Sequence, residues 1–258
     1  MARRGDGKLS RGLFITFEGG DGSGKSTQVR LLAQRLEAAG YDVTLTQEPA
    51  ATDVGRLAWE GIAAGGLDAH TELFLFLAAR SDHTARVIAP ALEAGRVVVC
   101  DRFADSTVAY QGYGRGLDPR LLQRLNRLAT KGIRPDLIFL LDVPVNEGLA
   151  RQGKAGNDRD AIGRETAAFH ERVRGGYRAL AEAEPRRWAV LDGRRPVEEL
   201  AEEIWRRVGP RLKGLSQKQP PALRQAQDER LSDSAHGEPV EPRAAQLGSS
   251  TSPPGEGR

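Results

Sequence analysis

Five short, apolar-rich runs punctuate the chain: LFITF at residues 13–17, YDVTLTQ at 41–47, RVVVCD at 96–101, DLIFLLDV at 136–143 and WAVLDG at 188–193. Continuous rather than alternating apolar character marks strands covered on both faces. The intervening stretches have helical spacing. Thr27 to Ala39 places Val29, Leu31, Leu32 and Leu36 on one side, and similar patterns run over Asp68–Glu93, Pro119–Thr130, Thr166–Glu182 and Val197–Arg211. Strands alternating with helices imply right-handed crossovers, and so an α/β fold whose parallel sheet carries helices on both faces. No internal repeat is visible.

The pattern stops at both ends. Residues 1–11 (MARRGDGKLSR) lack an apolar segment and read as a flexible terminus. From Ser216 onward there is no aromatic residue, and six of the fourteen prolines fall there, at 220, 221, 239, 242, 253 and 254. Such a composition cannot bury enough apolar surface to offset its ordering entropy, so 216–258 is expected to be a disordered tail beside one domain at 12–215. The tail holds five Lys and Arg against six Asp and Glu, so the remainder carries +4 of a chain total of +3. That mild excess is not gathered with aromatic residues, which argues against a nucleic-acid surface and for a small anionic substrate. The single cysteine, Cys100, excludes an intrachain disulfide and sits in an apolar run as a packing residue. No stretch approaches the ~18 apolar residues of a membrane span, so a cytoplasmic protein is expected.

Chemistry concentrates directly after the first strand, in GGDGSGKST, Gly19 to Thr27. The spacing of Gly19, Gly24, Lys25 and Ser26 satisfies G-x-x-x-x-G-K-[ST]. In that motif backbone N–H groups of a glycine-rich loop and the following helix N-terminus converge on phosphate oxygens. Lys25 would neutralise the β and γ phosphates from the solvent side, the Ser26 hydroxyl would ligate Mg²⁺, and Gly20 and Gly22 would permit backbone conformations closed to other residues. Asp101 ends an apolar strand, where a carboxylate can orient Mg²⁺, and Arg102 would project toward the phosphates; an isolated Asp-Arg pair reads as a surface ion pair, but at the end of a central strand the functional reading outweighs it. RQGKAGNDRDAIGRE is either a solvated loop or a lid, spanning about 151–165, that carries arginines over a phosphate. His70, His83, His170 and His236 read as cap, surface or tail residues.

GGDGSGKST, EPAATDVG, LFLFLAARSDH, DRFADSTVAYQGYGRG, RPDLIFLLDV and the NDR loop follow one another in the order and spacing of the thymidylate kinase family. From about Leu13 to Lys213 the chain resembles that family, and AYQGYGRG is the most specific segment. The resemblance implies a P-loop nucleoside monophosphate kinase fold with a five-stranded parallel sheet. It also implies a homodimer and transfer of the γ-phosphoryl group of MgATP to dTMP. The ATP site would comprise Gly19, Gly20, Asp21, Gly22, Ser23, Gly24, Lys25, Ser26 and Thr27, with Ser26 and Asp101 at the metal. Asp21 would meet the acceptor sugar beside Arg102, Phe76 would stack on thymine, Arg80 would reach O4, Gln111 would contact the base and Tyr110 would crowd the 2′ position. Phe76 has a packing alternative on its apolar face, whereas Arg80 has none there. Among the catalytic groups Lys25, Arg102, Asp21 and a lid arginine, the last would be Arg159, with Arg151 as the fallback.

The chain departs from the family's usual R-E-P-G-G-T at Gln47, Ala50 and Ala51. Two other functions are therefore kept in view: kinase action on a different deoxynucleoside monophosphate, and ATP binding without transfer. Acceptor-dependent ADP release separates all three.

Overall fold

Three of the five runs become strands with almost every side chain covered: β1 (Leu13–Glu18), β3 (Val97–Asp101) and β4 (Leu137–Asp142). The other two, β2 (Val43–Gln47) and β5 (Trp188–Asp192), are half covered, with Leu45 and Val190 each 49% exposed. The sheet order β2-β3-β1-β4-β5 explains the difference, because the less covered strands are its edges and the apolar ones its centre. All pairings are parallel. The computed structural model describes residues 12–154 and 161–217. The expected flexible terminus at 1–11, nearly all of the expected tail, and Arg159 lie outside these residues.

Helices flank the sheet as α1 (Lys25–Ala38), α2 (Asp53–Ala64) and α3 (Ala69–His83). A π-helical turn at Thr84–Ile88 joins α3 to α4 (Ala89–Glu93). After β3 come α5 (Ala104–Thr107), a π-helical segment at Val108–Gly114 and α6 (Pro119–Ala129). The chain then forms α7 (Val145–Lys154), α8 (Ala167–Ala183), α9 (Val197–Val208) and a 3₁₀ turn at Gly209–Leu212. Alternate β1 residues serve opposite layers. Leu13, Ile15 and Phe17 pack with Leu32 and Leu36 of α1 and Ile204 of α9, whereas Phe14 packs with Val98, Ile88 and Phe103 on the other face.

Three helical segments were not anticipated. Helix α2 begins at Thr52, whose side chain caps Gly55 N–H, and buries Ala58 and Ile62 at i,i+4 spacing. Helix α7 extends to Lys154, so 151–154 of the expected lid are its last turn. The segment DRFADSTVAYQGYG is helical from Ala104, with a π-helical stretch in its second half. Such stretches recur at functional sites because they re-aim side chains. Among the described residues no helix is long and apolar enough to cross a membrane.

Candidate active site

A parallel sheet brings all strand carboxyl ends to one edge, where ligand crevices form in open α/β folds. Strand register places Gln47 of β2 beside Asp101 of β3, and Asp101 beside Phe17 of β1. A cavity of about 540 Å³ opens there, lined from the glycine-rich loop through Gln47, Asp101 and Arg102 to Phe76, Tyr110 and Gln111.

The loop conformation rests on Gly19, Gly22 and Gly24, at φ 137°, 70° and 96°; Gly20 has no such backbone requirement, which corrects the expectation for it. At Gly22 a Cβ would also lie 2.0 Å from the carbonyl oxygen of Gly148 on α7. Helix α1 begins at Lys25, earlier than expected, with Gly24 as a cap that offers no side chain. Its first N–H groups therefore face the loop without a side-chain partner, as a phosphate site requires. Lys25 is 6% exposed rather than on the solvent side, and its Nζ donates to the Gly20 carbonyl at 2.8 Å and to Ser23 Oγ at 3.4 Å. Burial, and then Arg102, bring its pKa down to about 8 against the opposing pull of Asp101, Asp21 and Glu18. Ser26 Oγ donates to Asp101 Oδ2 at 2.6 Å, so the two expected metal ligands meet across 75 residues of sequence.

Arg102 is the centre of the opposite wall. Its backbone sits at φ 67°, a left-handed conformation costing a side chain on the order of 1 kcal/mol, and its N–H donates to Phe17 O. Nη2 donates to Asp21 Oδ1 at 2.6 Å, and Nη1 donates to Gly19 O at 3.1 Å and Tyr177 Oη at 3.3 Å. Burial raises the Asp21 pKa, but Arg102, Lys25 and His170 outweigh it and leave the carboxyl lowered.

Behind Arg102 stands a group that sequence reading missed. Glu18, fully buried at the end of β1, accepts hydrogen bonds from Phe103 N–H (2.8 Å), Ser106 Oγ (2.6 Å) and Tyr177 Oη (2.9 Å). Its only sequence signal is a carboxylate closing an otherwise apolar strand; Tyr177 gives none, being one aromatic on an amphipathic helix. Burial, then Asp105, lifts the Glu18 pKa to about 7. The folded state thus holds the proton that the unfolded chain releases near 4.5, so stability falls as pH rises through that interval and levels off above 7. Glu18→Gln, which keeps an acceptor for Phe103, should flatten this dependence by a few kcal/mol. Chemical denaturation at pH 5 and pH 8 checks it; equal slopes in both proteins would exclude Glu18 as the source.

Toward the far end of the cavity the expectations divide. Phe76 is half-buried, and it both lines the cavity and packs against the core cluster containing Tyr110 and Phe169. Tyr110 is 6% exposed, and the Arg102 guanidinium lies over its ring at 5.2 Å. Gln111 is buried and donates from Nε2 to Glu72 Oε1 at 2.8 Å. Arg80, expected to have no structural alternative on its face, has one, because all five of its N–H donors are committed. Nε and Nη2 hold Glu48 Oε2, Nη1 holds Thr107 and Asn126, and Nη2 also reaches Phe103 O. Its guanidinium crosslinks α3, the β2 end, α5 and α6. Glu48 also meets His83 Nδ1 at 3.2 Å. His83, at 0% exposure, and His170, at 5%, are interior residues and not the cap or surface residues expected. Arg151, the fallback lid arginine, lines the cavity from α7 and donates to Gly193 O at 2.9 Å.

Comparison with known proteins accords with this site. The thymidylate kinase family model matches residues 17–204. A thymidylate kinase of Desulfovibrio desulfuricans is 51% identical over 197 residues, covering 73% of this chain and 91% of that protein. One from Thermomicrobium roseum is 50% identical over 196 residues, covering 76% and 93%. The crystal structure of thymidylate kinase from Ehrlichia chaffeensis superposes with a TM-score of 0.64 at 36% identity, over 77% of this chain and 99% of that one. With a phosphate loop, an Asp21–Arg102 pair and an aromatic far wall in one cavity, and with relatives that match it over nearly their whole length, the chain belongs to the thymidylate kinase family.

Proposed function

We infer that this protein transfers the γ-phosphoryl group of ATP to dTMP, giving dTDP, in the supply of dTTP. The single observation that carries this reading is the shared cavity, in which Lys25 and the α1 N-terminus stand at one end and Phe76 and Gln111 at the other. A monophosphate has a second pKa near 6, so its attacking oxygen is already largely deprotonated at neutral pH and needs no general base. Catalysis then reduces to bringing two polyanions into line and balancing charge as it develops. Lys25 serves the donor phosphates, Arg102 the phosphates between the two substrates, and Asp21 both orients Arg102 and meets the acceptor sugar. Arg159, with Arg151 in reserve, would supply a further cation.

The donor set also suits Mg²⁺. Ser26 Oγ and Asp101 Oδ2 are hard oxygen ligands, and Mg²⁺ commonly takes one or two protein oxygens and completes its shell with phosphates and water. Bound there with ATP, it would neutralise the β and γ oxygens. At the acceptor end Phe76 stacks on thymine and Gln111 pairs with its edge. Tyr110, which lines the cavity, disfavours a 2′-OH. Arg80 reaches O4 only by exchanging one of its present bonds. ADP release measured with dTMP, dUMP, UMP, CMP, AMP and GMP tests the assignment. Strong preference for dTMP is expected, and preference for another acceptor, or none, would overturn it.

Gln47 lines the cavity where the family usually carries arginine. An arginine there would add a charge-assisted bond to the acceptor phosphate, typically about 1.5–3 kcal/mol or roughly ten- to a hundredfold. Gln47→Arg should therefore lower the KM for dTMP and leave that for ATP nearly unchanged. Falling turnover without gain in dTMP affinity would mean that the pocket is built around glutamine.

A cytoplasmic homodimer is part of the same reading. Neighbouring helices α2, α3 and α6 expose Leu57 (69%), Phe74 (60%) and Leu128 (78%), an apolar set that a second copy would cover. Phe74→Glu should halve the mass seen by sedimentation; an unchanged dimer would place the interface elsewhere.

A further inference from the structure

Glu72, Phe76 and Arg80 stand at i, i+4 and i+8 on α3, one residue per turn along a single stripe. Phe76 and Arg80 line the cavity, whereas Glu72 does not. Glu72 is 5% exposed and holds three hydrogen bonds. Oε1 accepts from Gln111 Nε2 at 2.8 Å and from Arg115 Nε at 3.2 Å, and Oε2 accepts from Arg115 Nη2 at 2.9 Å. Arg115 is itself held by Glu165 and lies over the Phe169 ring at 4.9 Å. The side chain is therefore held by Gln111 and by the guanidinium fork of Arg115, and a carboxylate offers its neighbours only acceptors.

An acceptor-only neighbour decides which way a buried amide points. With its carbonyl turned toward Glu72, Gln111 would set two acceptors against each other in a site that excludes water. With Nε2 turned toward Glu72, the bond forms and the carbonyl oxygen is the end left for the cavity. Partner chemistry, and not the naming of two similar atoms, sets the orientation.

We propose that Glu72 is a positioning residue that locks the Gln111 amide with its carbonyl oxygen toward the base, so that the site accepts a pyrimidine bearing N3–H and rejects one whose N3 is an acceptor. Thymine and uracil present N3–H at that edge, and cytosine presents a lone pair. A site whose fixed acceptor meets another acceptor leaves both unpaired, which is the condition under which polar sites discriminate most strongly. The inference rests on the assignment of the cavity's inner end to the base.

The decisive measurement is the ratio of kcat/KM for dTMP to that for 5-methyl-dCMP, nucleotides that differ only at N3 and the 4-position. Glu72→Gln supplies a partner that donates or accepts, so either orientation of Gln111 is satisfied. Glu72→Asp keeps the charge for Arg115 but withdraws the acceptor by one methylene. In both variants the ratio should fall about tenfold or more. A merely structural role would lower both nucleotides alike, and an unchanged ratio in the variants would overturn the proposal. Wild-type protein supplies a test independent of variant folding, because the 3-deaza analogue of dTMP, with C–H in place of N3–H, should be used at least tenfold less well than dTMP. Equal use would also overturn it. Gln111→Leu separates this inference from the reading beneath it. If that variant keeps full dTMP kcat/KM, the base does not lie against Gln111 and the site assignment fails. If dTMP use falls there while the Glu72 variants keep the wild-type ratio, only the locking role fails.

Discussion

Lys25→Met should lower dTMP phosphorylation by about 10²- to 10³-fold, roughly 3–4 kcal/mol, while the thermal midpoint holds or rises. The Nζ is already aimed by Gly20 O and Ser23 Oγ, so its charge meets the donor phosphates without reorganisation. Methionine fills the volume of the stem and removes a cation whose burial is unfavourable in the free protein, as the pKa of about 8 shows. The same value predicts a pH effect in the unaltered enzyme. Bound phosphates raise the Lys25 pKa, so ATP binding takes up a proton once the free amine titrates, and ATP affinity should weaken as pH rises through 8. Calorimetry in buffers of different ionisation enthalpy reads that uptake. A folded Lys25→Met protein with undiminished turnover would end the kinase assignment.

Arg102→Ala should cost a comparable factor in kcat, again about 10²- to 10³-fold, because no other described side chain bridges Gly19 O and Asp21. Loss of the guanidinium also removes the main influence that holds the Asp21 carboxyl low against its burial. The acid limb of the pH–rate profile should therefore move to higher pH in the variant. Arg102→Gly separates catalysis from backbone strain. Glycine occupies φ 67° freely, so this variant should be more stable than Arg102→Ala by roughly 1 kcal/mol while equally impaired. Equal stability of the two would mean that the left-handed backbone stores no strain, and near-normal turnover in either would move the central cation elsewhere.

The apolar runs and the loop motif were legible because they are local. A strand covered on both faces must be apolar throughout, and a phosphate loop needs glycine at fixed intervals in sequence. The five strands and five of the helices follow from that periodicity, with boundaries shifted by a few residues, as at α1. Helix α2 carries local signals in the Thr52 cap and the Ala58–Ile62 spacing, but they are weak because it buries only Gly55, Ala58 and Ile62. The π-helical course of Val108–Gly114 was not legible, since it depends on packing against α8 and α6.

The sequence by itself determined the fold class, the donor-phosphate loop and the family, because each is written in contiguous residues whose spacing is set by backbone geometry. Tertiary structure alone decided what the charged side chains do. Arg80 becomes a crosslink because Glu48, Thr107 and Asn126 converge on it from separate elements. Glu18 gains a raised pKa because burial and Asp105 act on it through space. Lys25 becomes an interior amine because the loop folds over it. Hydrogen bonding and desolvation depend on distances between residues far apart in the chain, and those distances exist only once the sheet has brought its five carboxyl ends to one edge.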